Sequence, residues 1–186
     1  MKDKREKILK AALGVICEVG LQSASVSQIV KRADVGMGTL YNYFSSKEEL
    51  VSELYEELMK NLATATYKNI DPNLDAKNKF NKIFASFIEY SLNHQLEFQF
   101  IENYAHSPYI SKKSLDIKEE LMKFFDEFFI EIKKSFEVKD TKSSFYLKFV
   151  YGALSGVIKG HLLGYYTLTE KDINIALKSC WDAILK

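Results

Sequence analysis

Residues 20–50 read GLQSASVSQIVKRADVGMGTLYNYFSSKEEL, and this stretch predicts two short helices, a tight turn and the start of a third. Ser25 is placed to N-cap a helix whose apolar residues Val26, Ile29, Val30 and Ala33 fall on one face. Asp34 to Gly38 interrupt that helix with two glycines that permit a sharp turn. In the second helix Leu40 and Phe44 lie four residues apart and point inward, Thr39, Asn42 and Tyr43 turn outward, and Tyr41 borders the inner face. Ser45 or Ser46 then caps a further helix, with Glu48 and Glu49 in the first turn, where the macrodipole favours anions.

A short helix with polar and aromatic hydrogen-bonding groups on its free side is the form that a recognition helix takes in a DNA major groove. The same outline also serves as a plain packing corner between helices. The TLYNYF core, with Lys47 three residues on, favours the DNA reading.

The block resembles the N-terminal helix-turn-helix of the TetR family of bacterial transcriptional regulators. The family pattern is a turn of the type GVxxGTLYxYF, then one or two polar residues, Lys-Glu and an apolar residue; here the chain has DVGMGTLYNYFSSKEEL. The resemblance extends back over Arg5 to Val19, with Gly20 as a stop, and covers roughly a quarter of the chain. Two positions depart from it. Asp34 replaces the usual glycine, and Met37 stands where Lys, Ser or Gln is frequent, so any base reading there is apolar, for example against a thymine methyl. Taken with the motif and the charge distribution, the resemblance implies that Ser25, Ser27, Thr39, Tyr41 and Lys47 hold phosphates of double-stranded DNA. Gln28, Met37, Gly38, Asn42 and Tyr43 would then face base edges or sugars. Two such helices on a two-fold axis would read a near-palindromic operator.

The rest of the chain is read as helical. Only two prolines, Pro72 and Pro108, occur in 186 residues, and the long stretches repeat near 3.6 without strand alternation. With 47% hydrophobic and 27% charged residues the composition is that of an ordinary globular protein. The expected fold is all-α with about nine helices: a three-helix DNA-binding domain over residues 1–47, followed by a larger helical domain for ligand binding and dimerisation over 48–186. The net charge of +1 is uneven, since residues 1–47 carry eight basic groups against four acids and the remainder carries 18 against 21. A basic end suits phosphate attraction, although Lys-rich helices are also ordinary solvated faces. The first ten residues, MKDKREKILK, are charged and lead into a helix, which predicts no secretory signal and a cytoplasmic protein.

Lys47 to about Lys68 reads as one long helix with Leu50, Leu54, Leu58 and Leu62 in a row, and Pro72 suits the first turn of the next. In the resembled family the long helix is the lever that sets the spacing of the recognition helices. Further helices are expected at about Asp75–Asn93, from His94 until Pro108 closes it, and at about Ile110–Phe136, Thr141–Tyr166 and Glu170–Leu185. With 13% aromatic residues, the middle helices offer both a packed core and a lining for an apolar cavity. The candidate contacts for a small hydrophobic or aromatic effector are Phe87, Tyr90, His94, Phe98, Glu102, Tyr104, Phe125 and Phe128.

Gly152, Gly156, Gly160 and Gly164 recur every four residues. Glycine in a helix costs about 1 kcal/mol, which close approach of another helix offsets. In the resembled family the last two helices pair with their copies, so Gly152, Gly156, Gly160, Ile173, Leu177 and Trp181 are the expected homodimer interface. The same stretch could suggest a membrane span, but Lys159 and His161 make that insertion costly, and no membrane association is expected. Cys17 and Cys180 read as small buried hydrophobes. The three histidines lack metal-ligand spacing, and no phosphate loop or nucleophile motif is present, so neither cofactor, metal nor catalysis is expected. The function implied is a ligand-responsive dimeric regulator acting as a repressor and released by its effector; the alternative is a DNA-binding adaptor of the same fold, without a small-molecule effector, whose partner is a protein.

Overall fold

The computed structural model describes residues 2–110 and 114–186, with the backbone alone for Lys2, Ser114, Leu115 and Lys118. Nine α-helices follow one another among the described residues: α1 (Lys2–Val19), α2 (Val26–Ala33), α3 (Met37–Tyr41), α4 (Lys47–Ala63), α5 (Ala76–Asn93), α6 (Gln95–Tyr104), α7 (Ser114–Ser135), α8 (Ser143–Leu162) and α9 (Glu170–Ile184). A π-helical turn, Thr64–Lys68, continues α4. No strand occurs among the described residues; Val138 and Leu185 form one isolated bridge. The all-α expectation and the helix count hold.

Packing divides the chain into two compact units, Met1–Lys60 with His94–Ile117, and Asn61–Asn93 with Lys118–Lys186. This partition by packing differs from a division at residue 47, because α6 packs on α1.

In the first unit α1 buries Ile8, Leu9, Ala12, Val15 and Ile16, and it ends where Gly20 takes φ +82°, a left-handed conformation open to glycine. Arg32 of α2 crosses α1 at Gly14, where a Cβ would lie 2.8 Å from its guanidinium, and pairs with Glu18 at 2.7 Å. Ser25 caps α2 in a full capping box: its hydroxyl accepts from the Gln28 N–H at 3.2 Å, and Gln28 Oε1 accepts from the Ser25 N–H at 2.8 Å. Ser25→Ala is expected to weaken this start by about 1 kcal/mol. Amide exchange at Gln28 should become about fivefold faster by that argument; unchanged protection would show that the cap contributes nothing.

Asp34 closes α2 with φ 53°, a left-handed conformation that a short polar side chain tolerates better than most, which is the backbone reason for the glycine common there in the resembled family. Leu40 and Phe44 are fully buried, as their spacing predicts. The helix nevertheless stops at Tyr41, so Asn42 is its C-cap and Tyr43 lies beyond it. Tyr41 is therefore 50% exposed, whereas Tyr43 is half-buried, the reverse of the expected order. Ser46 caps the next helix by accepting from the Glu49 N–H at 3.2 Å. Arg5 crosses from α1 to α4, meeting Glu53 at 2.6 Å and Glu57 at 2.9 Å, with its guanidinium 5.8 Å from the Phe44 ring centroid.

The second unit is built around α5, which packs on the π-turn, α8 and α9. Phe80, Phe84, Phe87, Ile88 and Ser91 are all buried, as expected of that helix. Asp75 caps it, accepting from the Asn78 N–H at 2.9 Å, and Pro72 stands in the preceding turn rather than in the first helical turn. The expected start of α7 near Ile110 touches 111–113, which lie outside the described residues; Ile110 itself closes a turn on the Ser107 carbonyl.

Three of the expected interface residues are covered by their own chain. Trp181 is 2% exposed, with its ring edge-on to Phe80 at 5.1 Å and Phe136 at 5.0 Å. Leu177 is buried on the same helix, on the face of α9 turned toward its own unit. Gly160 is roofed by Tyr166, whose hydroxyl would lie 2.5 Å from an added Cβ and donates to the Val157 carbonyl at 2.7 Å.

Candidate functional site

The groups expected to meet DNA come from the exposed starts of α2 and α4 and from α3 and its C-cap. Ser25, Ser27, Gln28, Met37, Gly38, Tyr41 and Asn42 are exposed, while Thr39, Tyr43 and Lys47 are half-buried. Several are already engaged. The Ser25 hydroxyl and Gln28 Oε1 serve the capping box, and Ser25 Oγ also lies 2.9 Å from Ser27 Oγ. Lys47 Nζ donates to the Leu21 carbonyl at 2.6 Å, which directs an ammonium otherwise free to swing on its four-carbon stem.

Gly38 differs from Gly14, which Arg32 crowds, and from Gly20, which takes a left-handed conformation. Its backbone is helical, and a Cβ there would meet no atom within 4 Å among the described residues. Neither turn geometry nor packing within the chain requires a glycine, although the helix is weakened by it. A glycine that the fold does not need, on an exposed helix beside Met37, Tyr41 and Asn42, leaves room for another molecule to approach the backbone.

The Leu21 peptide is held from two sides. Its carbonyl takes the Lys47 ammonium, and its N–H donates to Tyr104 Oη at 3.2 Å, so α6 is fastened to the turn between α1 and α2. The Cys17 thiol, half-buried and pushed up to about 11 by burial and by Glu18, points to the Leu96 carbonyl at 3.5 Å. It is therefore a protonated packing group at neutral pH, and Cys180 is buried as expected.

The expected effector residues are divided between the units. His94, Phe98, Glu102 and Tyr104 belong to the first: Phe98 is buried, His94 is exposed at the start of α6 with Nδ1 3.5 Å from Glu97 Oε1, Glu102 is half-buried, and the Tyr104 hydroxyl accepts from Leu21. Phe87, Tyr90, Phe125 and Phe128 belong to the second. There Phe87 packs on Tyr151 at 5.3 Å, Phe84 on Phe125 at 5.9 Å, and Phe125 on Phe128 at 6.4 Å. Sequence reasoning missed Tyr67, whose ring lies 4.6 Å from Phe124 and 6.2 Å from Phe125. Its hydroxyl and that of Ser155 are buried without a hydrogen-bond partner among the described residues. An open groove of about 610 Å³ between α5 and α9, lined by Lys77, Lys82 and Lys178 together with the apolar Leu74, Leu177 and Trp181, includes none of the expected effector residues.

Exposed apolar side chains occur on α8, on the segment after it and on α9. Phe145, Phe149, Leu163, Tyr165, Tyr166 and Ile175 are exposed, Phe145 and Phe149 are stacked with centroids 6.5 Å apart, and Gly152 and Gly156 are open. Ile173 is half-buried. No described helix is long and apolar enough to cross a membrane, and no group of His, Cys, Asp or Glu suited to a metal occurs among the described residues.

Comparison with known proteins places these features in a wider group. A family model described as bacterial regulatory proteins, tetR family, matches residues 8–54, and one described as tetracyclin repressor-like, C-terminal domain, matches 55–186. The HTH-type transcriptional regulator YvdT of Bacillus subtilis (strain 168) is 47% identical over 77 residues, 41% of this chain and 38% of its own length. The fatty acid metabolism regulator protein of the same organism is 39% identical over 82 residues, covering 42% of each chain. The chain spans about half the length, or less, of the curated relatives it matches. Among solved structures, a TetR family transcription regulator from Marinobacter aquaeolei VT8 superposes with a TM-score of 0.90 at 20% identity, covering 100% of this chain and 97% of that one. The regulator FadR from Bacillus subtilis, in complex with stearoyl-CoA, superposes at 0.77 with 21% identity, covering 96% and 98%. At such identities the two structures share the fold.

Proposed function

The chain belongs to the TetR family of bacterial regulatory proteins, and from that premise we propose that it is a cytoplasmic, homodimeric transcriptional repressor released from a near-palindromic operator by a small, largely hydrophobic effector. The observation that carries the DNA-binding part is Gly38, a helical glycine with open space around it on the exposed side of α3. Residues 1–47 supply the DNA contacts: Met37, Gly38, Asn42 and Tyr43 toward bases and sugars with Gln28 beside them, and Ser25, Ser27, Thr39, Tyr41 and Lys47 toward phosphates. The Leu21 carbonyl helps to aim Lys47, and a charged ammonium on phosphate contributes without reading sequence.

Residues 48–186 carry dimerisation and effector binding. The exposed apolar residues Phe145, Phe149, Leu163, Tyr165 and Tyr166, with open glycines at 152 and 156, support a seam for a second copy, because exposed apolar surface marks interaction sites. Gly152, Gly156 and Ile173 keep their proposed place there, and Phe145, Phe149 and Ile175 join them. The stearoyl-CoA bound by one structural relative and the name of the fatty acid metabolism regulator support an effector with a long apolar part. Such a compound acts only through its different affinities for the operator-competent and the released conformers.

Selection of bound duplexes from a randomised pool tests the reading. The expected product is a pair of related half-sites occupied by two protomers, and Asn42→Ala should reduce discrimination at one base pair by about 1–3 kcal/mol. Recovery of no preferred sequence, or of one protomer on an asymmetric site, would remove the operator assignment.

A further inference from the structure

We propose that Tyr67 Oη is the polar anchor of a ligand site inside the second unit, which takes a neutral carbonyl group on an apolar chain. The inference deepens the effector reading above and rests on it for its regulatory meaning. Tyr67 is 5% exposed, and its hydroxyl has no hydrogen-bond partner among the described residues. Removing a hydroxyl from water without giving it a partner is costly, so nearly all buried polar groups are paired and an exception calls for a cause. A ligand that accepts from this O–H supplies one.

The backbone beneath Tyr67 gives an independent sign. Thr64–Lys68 is a π-turn on the end of α4, and such single turns gather at functional sites because the extra residue re-aims the side chains that follow. Relative to a continuous α-helix, one inserted residue swings the next side chain by about 100°. Polar side chains accommodate the disturbed backbone: Thr66 Oγ1 donates to the Leu62 carbonyl at 2.7 Å, and Asn69 Nδ2 to the Thr64 carbonyl at 3.2 Å. Local groups thus satisfy this turn while leaving the phenol itself unmatched.

The surroundings select the ligand. Phe124 and Phe125 face the phenol ring, and Phe84 backs Phe125, so an apolar chain finds aromatic surface at this point. Phe124 is half-buried rather than buried, which makes it the ring able to swing aside and admit an occupant. Burial and the nearby Glu120 push the phenol up to about 12, so it stays an O–H donor at neutral pH and seeks an acceptor. Glu120, paired with Lys68 at 2.9 Å, disfavours a further negative charge beside the phenol. A ketone, ester or thioester carbonyl meets these conditions, and a carboxylate does not.

The test uses the full-length protein without DNA, with methyl octyl ketone and decanoate as probes of similar length, measured by calorimetry and thermal melting. The wild type should bind the ketone more tightly than decanoate. Tyr67→Phe should weaken the ketone about tenfold while the free variant melts at or above the wild-type temperature, because only an unpaired hydroxyl is lost. A purely structural hydroxyl, or one satisfied by a trapped water, gives the opposite sign, a lower melting temperature. That result overturns the proposal, as do unchanged ketone affinity in the variant, no ketone binding by the wild type, or decanoate binding as tightly. A ketone that binds through Tyr67 yet leaves operator affinity unchanged would count against the effector reading and leave the site standing.

Discussion

Gly38→Leu is expected to bring operator affinity down to the level of non-specific binding, a loss on the order of a thousandfold, while leaving the protein folded. The fold has room for the new side chain: a Cβ at this position meets no described atom within 4 Å, and the backbone is already helical. Leucine is also the better helix former, by about 0.8 kcal/mol, so the free variant should be no less stable than the wild type. What the side chain removes is space outside the protein, on the face that includes Met37 and Asn42. Fluorescence anisotropy on the selected duplex measures the loss, and helical circular dichroism with thermal melting verifies the fold. A variant that binds normally would mean that nothing approaches α3 closely, and the DNA-facing assignment of the helix would have to be abandoned.

Trp181→Ala should destabilise the second unit by about 3–5 kcal/mol, at any protein concentration. The indole is 2% exposed and sits edge-on between Phe80 and Phe136, so its removal leaves a cavity that two rings cannot close without leaving their own contacts. The concentration dependence separates this role from the one expected of the sequence. A residue at a seam between copies would, when truncated, shift the balance of monomer and dimer and show its effect most at low concentration. Chemical denaturation at several concentrations, followed by fluorescence at Tyr and Phe-packed sites, distinguishes the two; a loss that vanishes on concentrating the protein would return Trp181 to the interface.

The buried indole shows where sequence reading reaches and where it stops. Leu40 is legible from its place on the inward side of a short helix, and Ser25 from its place just before an apolar helical run; Phe44 is buried as expected although it lies beyond α3, its N–H bonded to the Leu40 carbonyl at 3.0 Å. The exposures of Tyr41 and Tyr43 reverse the order their spacing predicts because the helical period does not continue past Tyr41, where the helix ends. The apolar stripe on α9 was visible, but hydrophobicity does not state whether a face is covered by its own chain or by another. Gly152, Gly156 and Gly160 look alike in sequence; only the fold shows two of them open and the third beneath Tyr166. The π-turn at Thr64–Lys68 and the partnership of Leu21 with Tyr104, 83 residues away, have no local signature. For the same reason α6 was grouped with the effector helices, although it packs on α1.

The two-sided hold on the Leu21 peptide bears on how this chain is made and how it can be recombined. At about 5–20 residues per second, synthesis delivers the whole helix-turn-helix well before Tyr104 leaves the ribosome. During that interval the turn between α1 and α2 has Lys47 to hold it but lacks the phenol, and α1 lacks the helix that packs on it. A chimera that joins the first 47 residues to a foreign body reproduces that nascent state permanently. Transplanting the DNA-reading specificity of this protein therefore requires moving two separated pieces of sequence together, the helix-turn-helix and the α6 segment.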